Sequence, residues 1–236
     1  MRIETYLNTT EKEVQNKTFN VWVGVSLGNK YFTKPSIATY IGWALQFTRK
    51  NVLVVIADDI QAINFEVFDG KSKDVALKKA RKIADKKYQE IEEIIHSLPK
   101  KEQTKIRMVR WADVTNYEQH TLRERVIFNA FSKNTSFHDY IIDIIKEARP
   151  DRVNELSVEK LDKAAEYVLR EIPLFINGVE YQNKQGDWET YELNIYPGLS
   201  KSDELFIGLQ NGTLFPEIAK QLKITNKIAI LEAYVD

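Results

Sequence analysis

The six residues Val52-Leu53-Val54-Val55-Ile56-Ala57 run apolar without a polar break. A half-exposed strand would alternate, so this run predicts a strand covered on both faces, as in a parallel sheet. A second apolar run, Phe19 to Val25, is rich in β-branched and aromatic residues and precedes it. Between the two, Pro35-Ser36-Ile37 leads into a helical pattern that reaches Phe47 through Tyr40, Ile41 and Ala44. Strand, helix and strand in that order make a βαβ unit with a right-handed crossover. The fold class expected is therefore α/β, a mostly parallel sheet flanked by helices.

The rest of the chain fits that plan. Residues 1–18 are polar and read as a loose arm or a sheet edge. From about Lys73 to Ser97, Leu77, Ala80, Ala84, Tyr88, Ile91 and Ile95 form one apolar helical stripe. Ile106 to Trp111 alternates like a third strand, and Tyr117 to Arg149 reads as one helical stretch. Ser157 caps a helix that passes Leu161, Ala164 and Val168. It is expected to stop near Glu171-Ile172, because Pro173 disfavours α geometry at the residue before it. Leu174 to Gly178 reads as an apolar segment with a turn, Trp188 to Ile195 as a strand, Phe215 to Leu222 as a helix and Ile228 to Val235 as a last strand. With no repeat or low-complexity linker, residues 1–236 are expected to form one domain.

Composition removes several classes of chemistry. The chain has no Cys, hence no disulfide, thiol nucleophile or zinc thiolate site. No apolar run approaches the ~20 residues of a membrane span, and the first residues lack a secretory core, so the cytosol is expected, with no membrane partner. The formal net charge is zero, but Lys71 to Lys87 carries +6 and the remainder −6. Lys71, Lys78, Lys79, Lys82 and Lys86 share the helix face opposite the apolar stripe, with Arg81 nearby. A solvated face is the usual reading of helix lysines. The scarcity of acids among them favours instead a patch for a phosphate backbone.

Ser26 ends the first strand and Gly28-Asn29 turns the chain, the place where open α/β sheets bind ligands. A hydroxyl there can act as a nucleophile, or the segment is a polar turn only. Tyr167 and Glu171 lie one helical turn apart on one face. A carboxylate near a helix C-terminus is electrostatically misplaced, so Glu171 either has a task or pairs with Arg170 or a lysine. The three histidines, His96, His120 and His138, show no metal spacing, and no nucleophile elbow, P-loop or dinucleotide fingerprint is present. No metal or cofactor is expected.

Four segments together carry a resemblance: Gly24-Val25-Ser26-Leu27-Gly28-Asn29-Lys30-Tyr31-Phe32, Lys79-Ala80-Arg81-Lys82, Tyr167-x-x-x-Glu171-Ile172-Pro173-Leu174-Phe175, and Tyr196-Pro197. In this order and spacing they resemble the tRNA-dependent cyclodipeptide synthases. The resemblance implies a Rossmann-type domain similar to the catalytic domain of class I tRNA synthetases. It also implies a ping-pong aminoacyl transfer from two aminoacyl-tRNAs, for which no ATP site or cofactor is needed. A monomer with no DNA partner is expected. Ser26 would carry the first aminoacyl group as an ester, and the second aminoacyl-tRNA would supply an amine that attacks it. A dipeptidyl ester on Ser26 would then close to a diketopiperazine.

The implied roles continue from there. Tyr167 and Glu171 would hold the α-ammonium, Tyr196 would relay a proton during cyclisation, and Gly24 would let the backbone approach the acyl carbonyl. Lys71, Lys78, Lys79, Arg81, Lys82 and Lys86 would receive tRNA phosphates. Trp22 and Val54 are candidates for the first side-chain pocket, and Asn29 for a substrate contact. The family divides into a group with Asn in the serine loop and Tyr-His downstream, and a group with Tyr-Pro downstream. This chain combines Asn29 with Tyr196-Pro197 and is assigned to the Tyr-Pro group. A non-catalytic RNA-binding module and an unrelated Ser-dependent α/β acyl-transfer enzyme are the alternatives.

Overall fold

A computed structural model describes residues 1–235. The chain opens with β1 (Arg2–Leu7), α1 (Glu11–Gln15), β2 (Val21–Ser26), α2 (Lys34–Phe47) and β3 (Val52–Ala57). It continues through α3 (Asp58–Asp69), α4 (Lys73–Ser97), α5 (Lys100–Gln103), β4 (Ile106–Arg110), α6 (Trp111–Thr115), α7 (Glu118–Lys133) and α8 (Thr135–Ala148). The last third comprises α9 (Pro150–Val153), α10 (Val158–Asn177), β5 (Val179–Gln182), β6 (Trp188–Tyr191), β7 (Leu193–Tyr196), α11 (Lys201–Asn211), α12 (Pro216–Leu222) and β8 (Ala229–Tyr234).

The main sheet has the order β1-β8-β7-β2-β3-β4, parallel throughout except for β1, which pairs antiparallel with β8 at the edge. The expected α/β class with a mostly parallel sheet is what the chain adopts. From β2 the chain winds outward through β3 to β4, then returns to the other side of β2 through β7 and β8. The winding direction reverses between β2 and β7, so a crevice opens at their carboxyl ends. Ser26 ends one of those strands and Tyr196 the other.

Strand alternation sorts the core into two layers. Val21, Val23, Val25, Val52, Val54 and Ile56 pack with Ile37, Tyr40 and Ile41 of α2 and Ile91 of α4. Trp22, Leu53, Val55 and Ala57 face the opposite layer, built on α3, α7, α8, α10 and α11. Each of the valines, leucines and isoleucines among them, fully withdrawn from water, contributes about 1.5–3 kcal/mol.

Several sequence expectations need correction. The stretch 117–149 is two helices, because Asn134 both ends α7 and caps α8, its side chain accepting from the Phe137 N–H. Trp188 to Ile195 is likewise two strands: β6 pairs with β5 in a separate hairpin, and β7 joins the main sheet. The helix over Asp58–Asp69 was not anticipated. The helix begun at Ser157 does not stop before Pro173 but runs to Asn177. A mid-helix proline costs about 3 kcal/mol, and the fully buried Leu174 and Ile176 beyond it offset that cost.

At the end of α10, Gly178 adopts φ +78, and a Cβ there would lie 2.8 Å from the Tyr191 carbonyl oxygen. Gly178→Ala is expected to lower stability by about 1–3 kcal/mol. The measurement is a shifted urea midpoint at unchanged m-value.

Candidate active site

A cavity of about 880 Å³ occupies the crevice between β2 and β7. This is the size of a small-molecule site. Ser26 and the loop Gly28–Tyr31 form one wall, and Tyr196 to Ser202 continue it from the end of β7. Tyr167, Glu171 and Phe175 enter from α10 at four-residue spacing, one helical face turned inward. The extension of α10 past Pro173 is what delivers Phe175. Its ring stacks on Phe206 of α11 (centroids 4.6 Å apart) and rests against Trp22 (4.9 Å).

The polar groups form one connected set. The Asn29 side-chain amide donates to the Tyr196 hydroxyl at 3.2 Å, while its carbonyl oxygen accepts from the Tyr31 N–H at 2.9 Å. The Ser26, Tyr167 and Tyr196 hydroxyls line the same cavity, close enough for Ser26 to act on both phenols. Burial pushes both phenols above their ordinary range, with the nearby Glu171 carboxylate adding to the rise and the Ser26 contact opposing it. Both phenols are therefore neutral at pH 7, able to donate or accept a proton bond.

Glu171 is pushed up to about 8, first by burial and then by the Asp203 carboxylate. Asp203 is itself raised to about 6 by burial, against hydrogen bonds from the Ser200 N–H (2.8 Å) and hydroxyl (2.9 Å). The alternative that Glu171 pairs with its neighbour does not hold: Arg170 approaches Glu124 and Glu166 instead. Among the described residues no cation pairs with Glu171. The cavity thus presents an acid without a counter-ion among the described residues, one turn from a neutral phenol, in a lining that also holds the serine hydroxyl.

Other candidate residues lie elsewhere. Val54 does not reach the cavity; its register with Val23 turns it to the far face of the sheet, where it is fully buried. Trp22 is on the cavity side but 3% exposed, behind Phe175. Gly24 is also one layer back, where a Cβ would lie 3.0 Å from the Trp22 ring. Its smallness admits that ring. None of the three histidines lines the cavity: His120 is buried and pushed down to about 4, and His138 bonds Asp162. The unanticipated α3 contributes Gln61, Asn64 and Phe68. Asp58-Asp59 at its first turn, Gly70 just past its end and the spacing of Ile60, Ile63 and Val67 were the available signals.

The basic helix is divided in use. Lys79 bonds Asp69 at 2.8 Å over the Phe65 ring, and Arg81 makes a two-point contact with Asp59. Both hold α4 on α3. Lys78, Lys82 and Lys86 are exposed and make no ion pair among the described residues; Lys71, expected on the same helix face, lies before the Ser72 cap and so outside α4, where it is likewise exposed and unpaired.

A carboxyl that keeps its proton in the folded chain to higher pH than in the unfolded chain stabilises the fold fully below its ordinary range. That contribution is lost as pH rises toward 8. Glu171→Gln is expected to flatten the fall in melting temperature between about pH 5 and pH 8 and to exceed the parent in stability at the alkaline end. Thermal unfolding across that range checks it.

A family model described as cyclodipeptide synthase matches residues 3–183. The cyclo(L-leucyl-L-leucyl) synthase of Bacillus subtilis (strain 168) is 28% identical over 176 residues, 70% of this chain and 67% of that protein. In fold, the chain is similar to a Mycobacterium tuberculosis protein of the cyclodipeptide synthetases, which are related to type I tRNA synthetases. The identity there is 16%, the coverage 100% of this chain and 96% of that one, and the TM-score 0.72. It is also similar to the cyclodipeptide synthase from Candidatus Glomeribacter gigasporarum bound to Phe-tRNAPhe, at 13% identity over 92% and 88% of the two chains with a TM-score of 0.59. The match over residues 3–183 shows that the chain belongs to the cyclodipeptide synthase family.

Proposed function

We propose that this chain makes a diketopiperazine from two aminoacyl-tRNAs by a ping-pong route through esters on Ser26. The observation that carries the proposal is the grouping of the Ser26 hydroxyl, two neutral phenols and the unpaired Glu171 in one cavity. Family membership and the tRNA-bound relative support the substrate class.

In the first half, Ser26 Oγ attacks the aminoacyl ester carbonyl and the tRNA ribose oxygen leaves. One alcohol replaces another, so the proton shed by Ser26 is the one the leaving oxygen needs. Tyr167 and Tyr196, both neighbours of Ser26, offer its path, and no histidine is required. Glu171 and Tyr167 receive the α-ammonium by charge-assisted hydrogen bonds. A free α-amine has a pKa of about 7.7–8.0, close to that of Glu171. The carboxylate can therefore take the proton that must leave before the amine reacts.

Atom balance corrects the order of attack. If the incoming amine attacked the seryl ester, Ser26 would be released and the dipeptide would end on tRNA. A dipeptidyl ester on Ser26 requires the amine already on the enzyme to attack the second aminoacyl-tRNA ester, expelling the second tRNA. The terminal amine then attacks the seryl carbonyl, closing the ring and restoring the Ser26 hydroxyl, with Tyr196, oriented by Asn29, returning the proton. Positioning two reactants in turn supplies much of the acceleration.

Lys71, Lys78, Lys82 and Lys86 face the tRNA backbone, while Lys79 and Arg81 keep their helix in place. Residues 1–236 act as one catalytic domain of a cytoplasmic monomer, of the Tyr-Pro group by Tyr196-Pro197. Phe175 and Phe206, with Trp22 behind, border the side-chain space, in place of Val54. Against an unrelated Ser hydrolase stands the lack of a cavity histidine to serve as its base.

Ser26→Ala is expected to abolish the diketopiperazine while tRNA affinity stays unchanged, and intact mass should show an aminoacyl ester on the parent that this variant lacks. Glu171→Gln should lower product by about 10²- to 10⁴-fold while the ester on Ser26 remains detectable. Product without Ser26 would defeat the reading.

A further inference from the structure

Ring formation uses two α-amines in turn, and the reaction scheme gives only the first of them a carboxylate. The acids lining the cavity are Glu147, Glu171 and Asp203. Glu147 stands at the rim and is bound by Lys201 at 2.9 Å. Asp203, in the first turn of α11, is 9% exposed and makes no ion pair among the described residues. Its Oδ2 accepts from both the N–H and the hydroxyl of Ser200, while Oδ1 accepts from no other described residue. From β8, Glu232 also faces it, held in turn by Thr5 and Tyr234. The charge of Asp203 acts on both Glu171 and Tyr196. It therefore lies within reach of the seat of the first ammonium and of the phenol that serves ring closure. The dipole of α11 favours an acid in this turn. A cap needs only an acceptor, however, and an uncharged amide supplies one. A nearly buried acid without a cation is costly unless a ligand brings one.

We propose that Asp203 is a second catalytic carboxylate, which receives the α-ammonium of the second aminoacyl group and takes its proton before that amine closes the ring. The inference rests on the aminoacyl-tRNA reading above and adds to it the acid for the second amine. After the second tRNA has left, the terminal ammonium passes one proton to Asp203. The freed nitrogen attacks the seryl carbonyl, and the C–N bond forms as the bond to Ser26 Oγ breaks. The next proton of that nitrogen reaches Oγ through Tyr196, and the proton on Asp203 returns to water. Glu171 and Asp203 thus serve one amine each.

The test loads Ser26 with enzyme in excess over bulk aminoacyl-tRNA. The load is then chased with the same pool, or with that pool deaminated by nitrous acid, which replaces each α-amine by a hydroxyl. Asp203→Asn keeps an acceptor for the Ser200 cap and removes the charge. It is expected to load Ser26 as the parent does, then to yield about 10²-fold less diketopiperazine from the amine-bearing chase, with a seryl ester persisting in the intact mass. From the hydroxyl-bearing chase, parent and variant should consume the loaded ester at the same rate, because no ammonium is there to be held. Asp203→Glu should recover part of the product, and Ser200→Ala, which leaves the carboxylate in place, should retain most of it. Failure of Asp203→Asn to load Ser26, parent-level product from it, equal loss on both chases, or as large a loss from Ser200→Ala overturns the proposal. A parent with no ester on Ser26 defeats the seryl route and this inference with it. An ester on the parent with any of the four outcomes just named defeats this inference alone.

Discussion

Two parallel strands, β2 and β7, lie side by side while the chain winds away from them in opposite directions. Their crossovers lie on opposite faces of the sheet, α2 on one and α10 on the other, and the gap between those crossovers is the constraint on which the cavity depends. Ser26 reaches it because β2 ends there, and Tyr196 because β7 does. Asn29 then ties the two strand ends together through one hydrogen bond. The serine loop is further held from below, where Lys87 of α4 donates to the Phe32 carbonyl oxygen at 3.0 Å and Phe32 packs on Tyr196. The reactive end of the sheet is thus braced from both flanking strands and from the helix layer on one face.

The cavity owes its electrostatic character to what α10 brings and what it withholds. A single helical face supplies a phenol, a carboxyl and a phenyl ring, and no histidine joins them. Withdrawn from water, the phenols stay protonated and the carboxyl approaches neutrality near pH 7. The α10 face itself thus carries little fixed charge, in contrast to Lys30, Arg149 and Lys201 elsewhere in the lining. In the proposed reaction it acquires its ion pair only when an amine arrives, so the cost of burying an acid is offset by the substrate's own ammonium.

The remaining architecture links recognition to chemistry through α3. That helix packs on α10 inside and on α4 outside, and its acids Asp59 and Asp69 take up Arg81 and Lys79. With Lys87, which holds the serine loop, three residues of the basic run are structural, although the charges look alike in the sequence. The exposed lysines left over define a narrower face than the +6 total suggests.

Much of this is local to the chain. Continuous apolar runs mean strands covered on both faces, so the parallel sheet, the order β2-α2-β3 and the basic helix over Lys73–Ser97 follow from residue type alone. The Ser26 turn and the i,i+4 pair Tyr167–Glu171 were likewise readable, because strand ends and helix faces are local properties. Pro173 misled, since its local preference yielded to the burial of Leu174 and Ile176, a tertiary effect. Val54 misled because both faces of β3 are apolar, and only register against β2 decides which side chain faces the cavity. Whether Lys79 met solvent, or Glu171 a cation, likewise waited on how α3 and α10 pack. Local sequence determined the elements and the kinds of groups at their ends. Long-range packing decided which of those groups share one cavity, because burial and ion pairing depend on partners that the chain order does not bring together.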